Sequence, residues 1–154
     1  MGKIIISEKL IELGIDTPEK GKAIKILADK LKAMDFVKEG FYENVMKREE
    51  TYPTGLPTII PIALCHTEAQ YVKQSALTIG ILKTPIQFHE MGTPENLLNV
   101  NMIFLMALND PKDQIAWLQK MVVAFKSKET LEHIQFATNK RKLCKYLKTL
   151  FQSE

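Results

Sequence analysis

The chain has little cysteine: two residues in 154, Cys65 and Cys144. Free thiols in a reducing cytoplasm fit this count better than a disulfide scaffold does. No pair of Cys or His residues has structural-zinc spacing, so a metal-built core has no support. No Gly-rich loop followed by Lys-Ser or Lys-Thr occurs, which leaves nucleotide chemistry without a motif. Low-complexity tracts and repeats are absent too. The longest apolar stretch, Met102 to Leu108, is far too short to span a bilayer. The N-terminus lacks a long apolar region with a cleavage site, so no secretory signal is read. Nor is there a large excess of one charge: 21 Lys and Arg against 18 Asp and Glu give +3. That balance does not demand a nucleic-acid partner. Lys140, Arg141, Lys142, Lys145 and Lys148 cluster near the end, but on a helix they would spread around more than one face. They read as a solvated terminal helix, with no aromatic interleaving or DNA-reading motif beside them.

What is present describes one soluble domain over residues 1–154, with a real core: 45% of the residues are hydrophobic and 25% charged. The stretch from Tyr52 to Thr67, YPTGLPTIIPIALCHT, draws most attention. Pro53 and Pro57 flank a glycine, so Tyr52 to Pro57 reads as a fixed turn. Ile59 to Leu64 reads as a buried strand, and it stops at Cys65-His66-Thr67, with Glu68 just beyond. A histidine there can be held rigidly yet still reach solvent, which suits imidazole chemistry near neutral pH. A half-buried histidine capping a strand fits the same residues. Cys65 and His66 are adjacent and so point to opposite faces of a strand.

Along the chain, Ile4 to Ile6 and Leu10 to Leu13 suggest one or two edge strands, or a helical turn at Ser7 to Glu12. Thr17 and Pro18 open an amphipathic helix over 18–34, with Ala23, Ile24, Leu27, Ala28, Leu31 and Met34 at helical spacing. A second helix is expected over 39–50. It ends at Arg48, Glu49 and Glu50. Arg48 reads either as an oxyanion-binding fork beside the end of the following strand or as a surface arginine paired with a nearby Glu. Strands are expected at Ala76–Leu82 and Val100–Leu108, with His89 in a loop and a turn at Gly92-Thr93-Pro94. Helices follow from about Lys112, from Ser127 or Lys128, and around Leu143 to Leu150, with Thr138 or Asn139 as an interruption or cap. Trp117 reads as packing whose indole N–H seeks a partner. Strands alternating with helices predict an α/β sandwich: a mixed parallel and antiparallel sheet with helices on both faces.

The order helix, Arg48-Glu49, Tyr52-Pro53-Thr54-Gly55-Leu56-Pro57, apolar strand and Ala63-Leu64-Cys65-His66-Thr67-Glu68 resembles a known family. It is similar to the EIIA domains of the fructose/mannitol superfamily of the bacterial phosphoenolpyruvate-dependent sugar phosphotransferase system (PTS), and most to the galactitol-type proteins. VNMIFLMALNDP and the helix containing Leu118-Gln119-Lys120-Met121 extend the likeness over nearly the whole chain. The resemblance implies that His66 accepts phosphate from phospho-HPr and gives it to a cysteine of an EIIB, which serves a membrane EIIC permease. It also implies that Arg48 lies near the phosphoryl group. Thr67, Glu68 and Gln114 are further candidates for support of the phosphate site. No cofactor, metal, nucleic acid or membrane insertion is expected, and the location implied is cytoplasmic. Two residues depart from the pattern. Cys65 stands where the family normally has proline. Gln114 stands where the mannitol and fructose branches place a second histidine, and it can donate a hydrogen bond but carry no charge. The departures fit either the galactitol-like branch or a copy turned toward regulation, a phosphoprotein whose His66 state is read by a partner.

Overall fold

The computed structural model describes residues 2–152. Its elements in order are β1 (Ile11–Ile15), α1 (Lys20–Ala33), α2 (Phe41–Thr51), β2 (Gly55–Leu56), β3 (Ile62–Cys65), β4 (Ala76–Glu90), β5 (Thr93–Ala107), α3 (Pro111–Ala124), α4 (Lys128–Gln135) and α5 (Lys140–Gln152). The sheet is mixed. β1 runs parallel to β4, β4 antiparallel to β5, and β5 parallel to β3. β2 pairs antiparallel with β3, and its Gly55 also meets Glu90 at the far end of β4.

Strand alternation sends residues to two apolar layers. Ile62, Leu64, Ile79 and Phe104 face α3, α4 and α5, meeting Trp117, Phe125, Leu147 and Phe151. Ala63, Cys65, Ile103 and Leu105 face α1 and α2, meeting Ile24, Leu27, Phe41 and Val45. Helices therefore cover both faces, as expected. The helix starts follow local chemistry. Asp110 accepts from the Lys112 N–H and Pro111 opens α3; Ser127 accepts from the Thr130 N–H at α4; Asn139 accepts from the Lys142 N–H at α5. The Trp117 indole N–H donates to the Gly2 carbonyl at 3.4 Å.

Three expectations need correction. The first concerns β3, which begins at Ile62 rather than Ile59. Pro61 has no N–H to give a ladder, and Thr58 Oγ1 bonds the Ile60 carbonyl at 2.7 Å, so 57–61 forms a bend. The second concerns β4 and β5, which are each 15 residues long and form one hairpin, so His89 lies in a strand instead of a loop. A register irregularity between Ile81 and Ile86 accommodates Pro85, after which Ile86 and Phe88 point inward while Gln87 and His89 point out. The turn is Met91-Gly92, with Gly92 at φ 78°, and the strand resumes at Thr93. The third concerns α1, which begins at Lys20; Thr17 instead accepts from the Glu19 N–H just ahead of it.

Candidate functional site

His66 follows the last residue of β3. Ile62 to Cys65 are fully buried between the two layers, so the strand is a rigid base for the ring. Only 6% of His66 is exposed, less than a strand-end position led us to expect. Its Nδ1 lies 2.9 Å from the Leu64 carbonyl oxygen. A carbonyl only accepts, so Nδ1 carries the proton and Nε2 carries the lone pair in the neutral ring. Among the described residues no hydrogen bond reaches Nε2. The enclosed polar side-chain atoms without a partner there are Arg48 Nε and Thr78 Oγ1; His66 Nε2 is not one of them. Nε2 is thus the open edge of the ring. Burial lowers the His66 pKa, the Leu64 carbonyl opposes this, the Arg48 charge lowers it further and Glu68 pulls the other way. A neutral imidazole with a bare Nε2 can act as a nucleophile.

The residues around the ring come from α2, from the segment after β3 and from α3. Arg48 is in the last turn of α2. Its partner is Glu68, at 3.9 Å from Nη1 to Oε1, while its guanidinium lies over the Tyr52 ring, 5.3 Å from the centroid. Glu49 points the other way, into the core. The Thr67 hydroxyl donates to Glu68 Oε2 at 2.5 Å, and Gln114 Nε2 donates to the Thr67 carbonyl at 2.7 Å. All five residues singled out in the sequence, His66, Arg48, Thr67, Glu68 and Gln114, therefore lie in one connected neighbourhood. Asn44, Lys47, Arg48, Thr51, Tyr52 and Glu68 line a shallow pocket of ≈ 230 Å³ beside it.

A buried cluster was missed. The Glu49 carboxylate accepts from the Thr54 N–H at 2.9 Å and the Thr54 hydroxyl at 2.6 Å, and Cys65 Sγ lies 3.6 Å from it. Burial raises the Glu49 pKa against those hydrogen bonds, and burial chiefly raises that of Cys65. Cys65 is a packed thiol, unsuited to nucleophilic work. The signal for Glu49 was its spacing. Phe41, Val45 and Glu49 recur every fourth residue and form the buried stripe of α2.

The other two histidines stand apart from this site. His89 is exposed and bonds the Pro94 carbonyl at 2.7 Å; His133 stacks on Tyr146 at 4.0 Å. Of the isoleucines ahead of His66, Ile59 is 64% exposed and Ile60 partly buried, whereas Ile62 is in the core at 0%. No cluster of His, Cys, Asp or Glu fit for a metal ion occurs among the described residues. No helix among them is long and apolar enough to cross a membrane.

Solved structures share this architecture. IIA mannitol from Escherichia coli superimposes with a TM-score of 0.76 at 17% identity, over 96% of this chain and 99% of that one. The complex of enzyme IIAMtl with phosphorylated enzyme IIBMtl from Escherichia coli gives 0.76 and 17%, over 98% and 100%. Nitrogen regulatory protein IIA-Ntr from Neisseria meningitidis gives 0.72 and 18%, over 92% and 94%. No curated protein sequence matches the chain. The family model for the phosphoenolpyruvate-dependent sugar phosphotransferase system, EIIA 2, matches residues 4–149. The chain belongs to that family of EIIA domains, phosphoryl carriers that act through a histidine.

Proposed function

We propose that His66 is the phosphoacceptor of a sugar or polyol uptake system of galactitol-like type, charged by phospho-HPr and discharged to a cysteine of an EIIB in the cytoplasm. The observation that carries this is the His66 ring itself: Nδ1–H tied to Leu64, Nε2 open, Arg48 alongside. In the first step the Nε2 lone pair attacks phosphorus in line with the N–P bond of the donor's phosphohistidine. That bond breaks, and its electron pair returns to the donor nitrogen. The His66 ring now bears positive charge, which the Leu64 carbonyl on Nδ1–H stabilises. In the second step an EIIB thiolate attacks phosphorus, and the Nε2–P pair returns to Nε2. Arg48 supplies charge and donors to the transferring oxygens, with no metal needed. Thr67 and Gln114 support the site by fixing the segment that follows His66.

Incubation with phosphoenolpyruvate, enzyme I and HPr is expected to give one acid-labile, base-stable phosphate per chain, and His66→Ala to abolish it. A full signal in His66→Ala, or its mapping to His89 or His133, would refute the assignment. A second reading, a regulatory phosphoprotein, shares the fold of the nitrogen regulatory relative. Rapid passage of phosphate to the cysteine of a purified EIIB favours transport. Phosphate that is accepted from HPr but never delivered to that EIIB favours regulation.

A further inference from the structure

We infer that Glu68 is a positioning residue that competes with the phosphoryl group for Arg48, and so makes phospho-His66 a readier donor. The inference rests on the carrier reading above. It begins from a mismatch: an anion beside a phosphate site cannot bind phosphate, yet Glu68 is built into the site. The Thr67 hydroxyl grips its Oε2. Its backbone opens the 3-10 turn Ala69–Tyr71, whose Tyr71 N–H returns to the Glu68 carbonyl at 3.3 Å. Thr67 is itself buried and pinned by Gln114. The carboxylate is 57% exposed, but its direction is fixed from two sides.

The contact with Arg48 is a loose one. At 3.9 Å it is an ion pair and too long for a hydrogen bond, so the guanidinium donors are not consumed. Arg48 can therefore turn its fork to phosphoryl oxygens, but only by leaving an ionised partner. The Thr67 hydrogen bond lowers the Glu68 pKa most, keeping that partner charged at neutral pH. Apart from the phosphorylated ring itself, the side chains around it sum to zero: +1 from Arg48, −1 from Glu68 and nothing from Gln114. Lys47 stands on the rim of the adjoining pocket, exposed and screened by water. A phosphoryl dianion on Nε2 thus meets no net charge from the side chains that surround the ring. It is held less firmly than the arginine alone would hold it.

The experiment measures the equilibrium partition of phosphate between HPr and this protein, with purified components approached from both sides. Back-transfer rates and a thermal melt accompany it. Glu68→Gln is expected to shift the partition toward this protein by about three- to tenfold and to slow return to HPr, with melting unchanged. Glu68→Asp is expected to move back toward wild type. In an Arg48→Gln background the Glu68→Gln shift is expected to fall to less than half. An unchanged partition, a shift toward HPr, or a shift of full size without Arg48 would overturn the inference. A wild-type protein that takes no phosphate from HPr would overturn the carrier reading itself, a separate result from an unshifted variant.

Discussion

Burial holds the His66 ring neutral, and this has a sign that can be checked. The folded pKa lies below the ordinary 6.5, so between the two values the unfolded chain binds more protons than the folded one. Stability from this group is present above about 6.5 and declines as pH falls through the window. An NMR titration of the His66 ring is expected to give a midpoint below 6.5, and a midpoint above it would mean that the ring is not desolvated as described. Glu49 gives a second prediction. Glu49→Ala leaves the buried Thr54 N–H and hydroxyl without their acceptor, at a cost of about 2–4 kcal/mol in urea unfolding. A loss under roughly 0.5 kcal/mol would show that the cluster relaxes or takes in water. At this scale the nearness of Arg48 to His66 was legible, because a motif order marked both. The roles of neighbours were not. That Glu68 pairs with Arg48 across two elements is a matter of tertiary geometry, which spacing along the chain does not carry.

The elements were most legible where capping chemistry is local. Asp110-Pro111, Ser127 and Asn139 announce α3, α4 and α5 within a residue or two of where they start. The strands expected at Ala76–Leu82 and Val100–Leu108 are the inner halves of the β4–β5 hairpin; its outer half lies beyond Pro85, which a register irregularity absorbs. Its far end matters to the site, since it clasps β2. Gly55 pairs with Glu90, its carbonyl accepts from the Met91 N–H at 2.8 Å, and an added Cβ would lie 2.6 Å from the His89 carbonyl oxygen. Backbone cannot give way as a flexible side chain does. Gly55→Ala is expected to destabilise by about 1–3 kcal/mol and to disturb amide shifts at Thr54 and along 89–91. A neutral substitution with silent spectra would show that the clasp is loose.

At the scale of the molecule, two apolar layers on a mixed sheet carry α2, the end of β3 and the start of α3 to one place, where Arg48 and Gln114 reach the segment His66–Glu68. The alternation of helical and strand periods made that sandwich readable, because each layer takes one face of every strand. The outward surface was less readable: which isoleucine emerges depends on strand register, and the bend after Pro57 sends Ile59 out while Ile62 goes in. The central claim is that phosphate is carried on Nε2 of His66, the edge left bare by the Leu64 carbonyl. The direct measurement is NMR of the phosphorylated, ¹⁵N-labelled protein, correlating phosphorus with the imidazole nitrogens. Coupling of phosphorus to Nε2 of His66, with Nδ1 still protonated, is the expected result. Phosphorus on Nδ1 of His66, or on another residue, would contradict it.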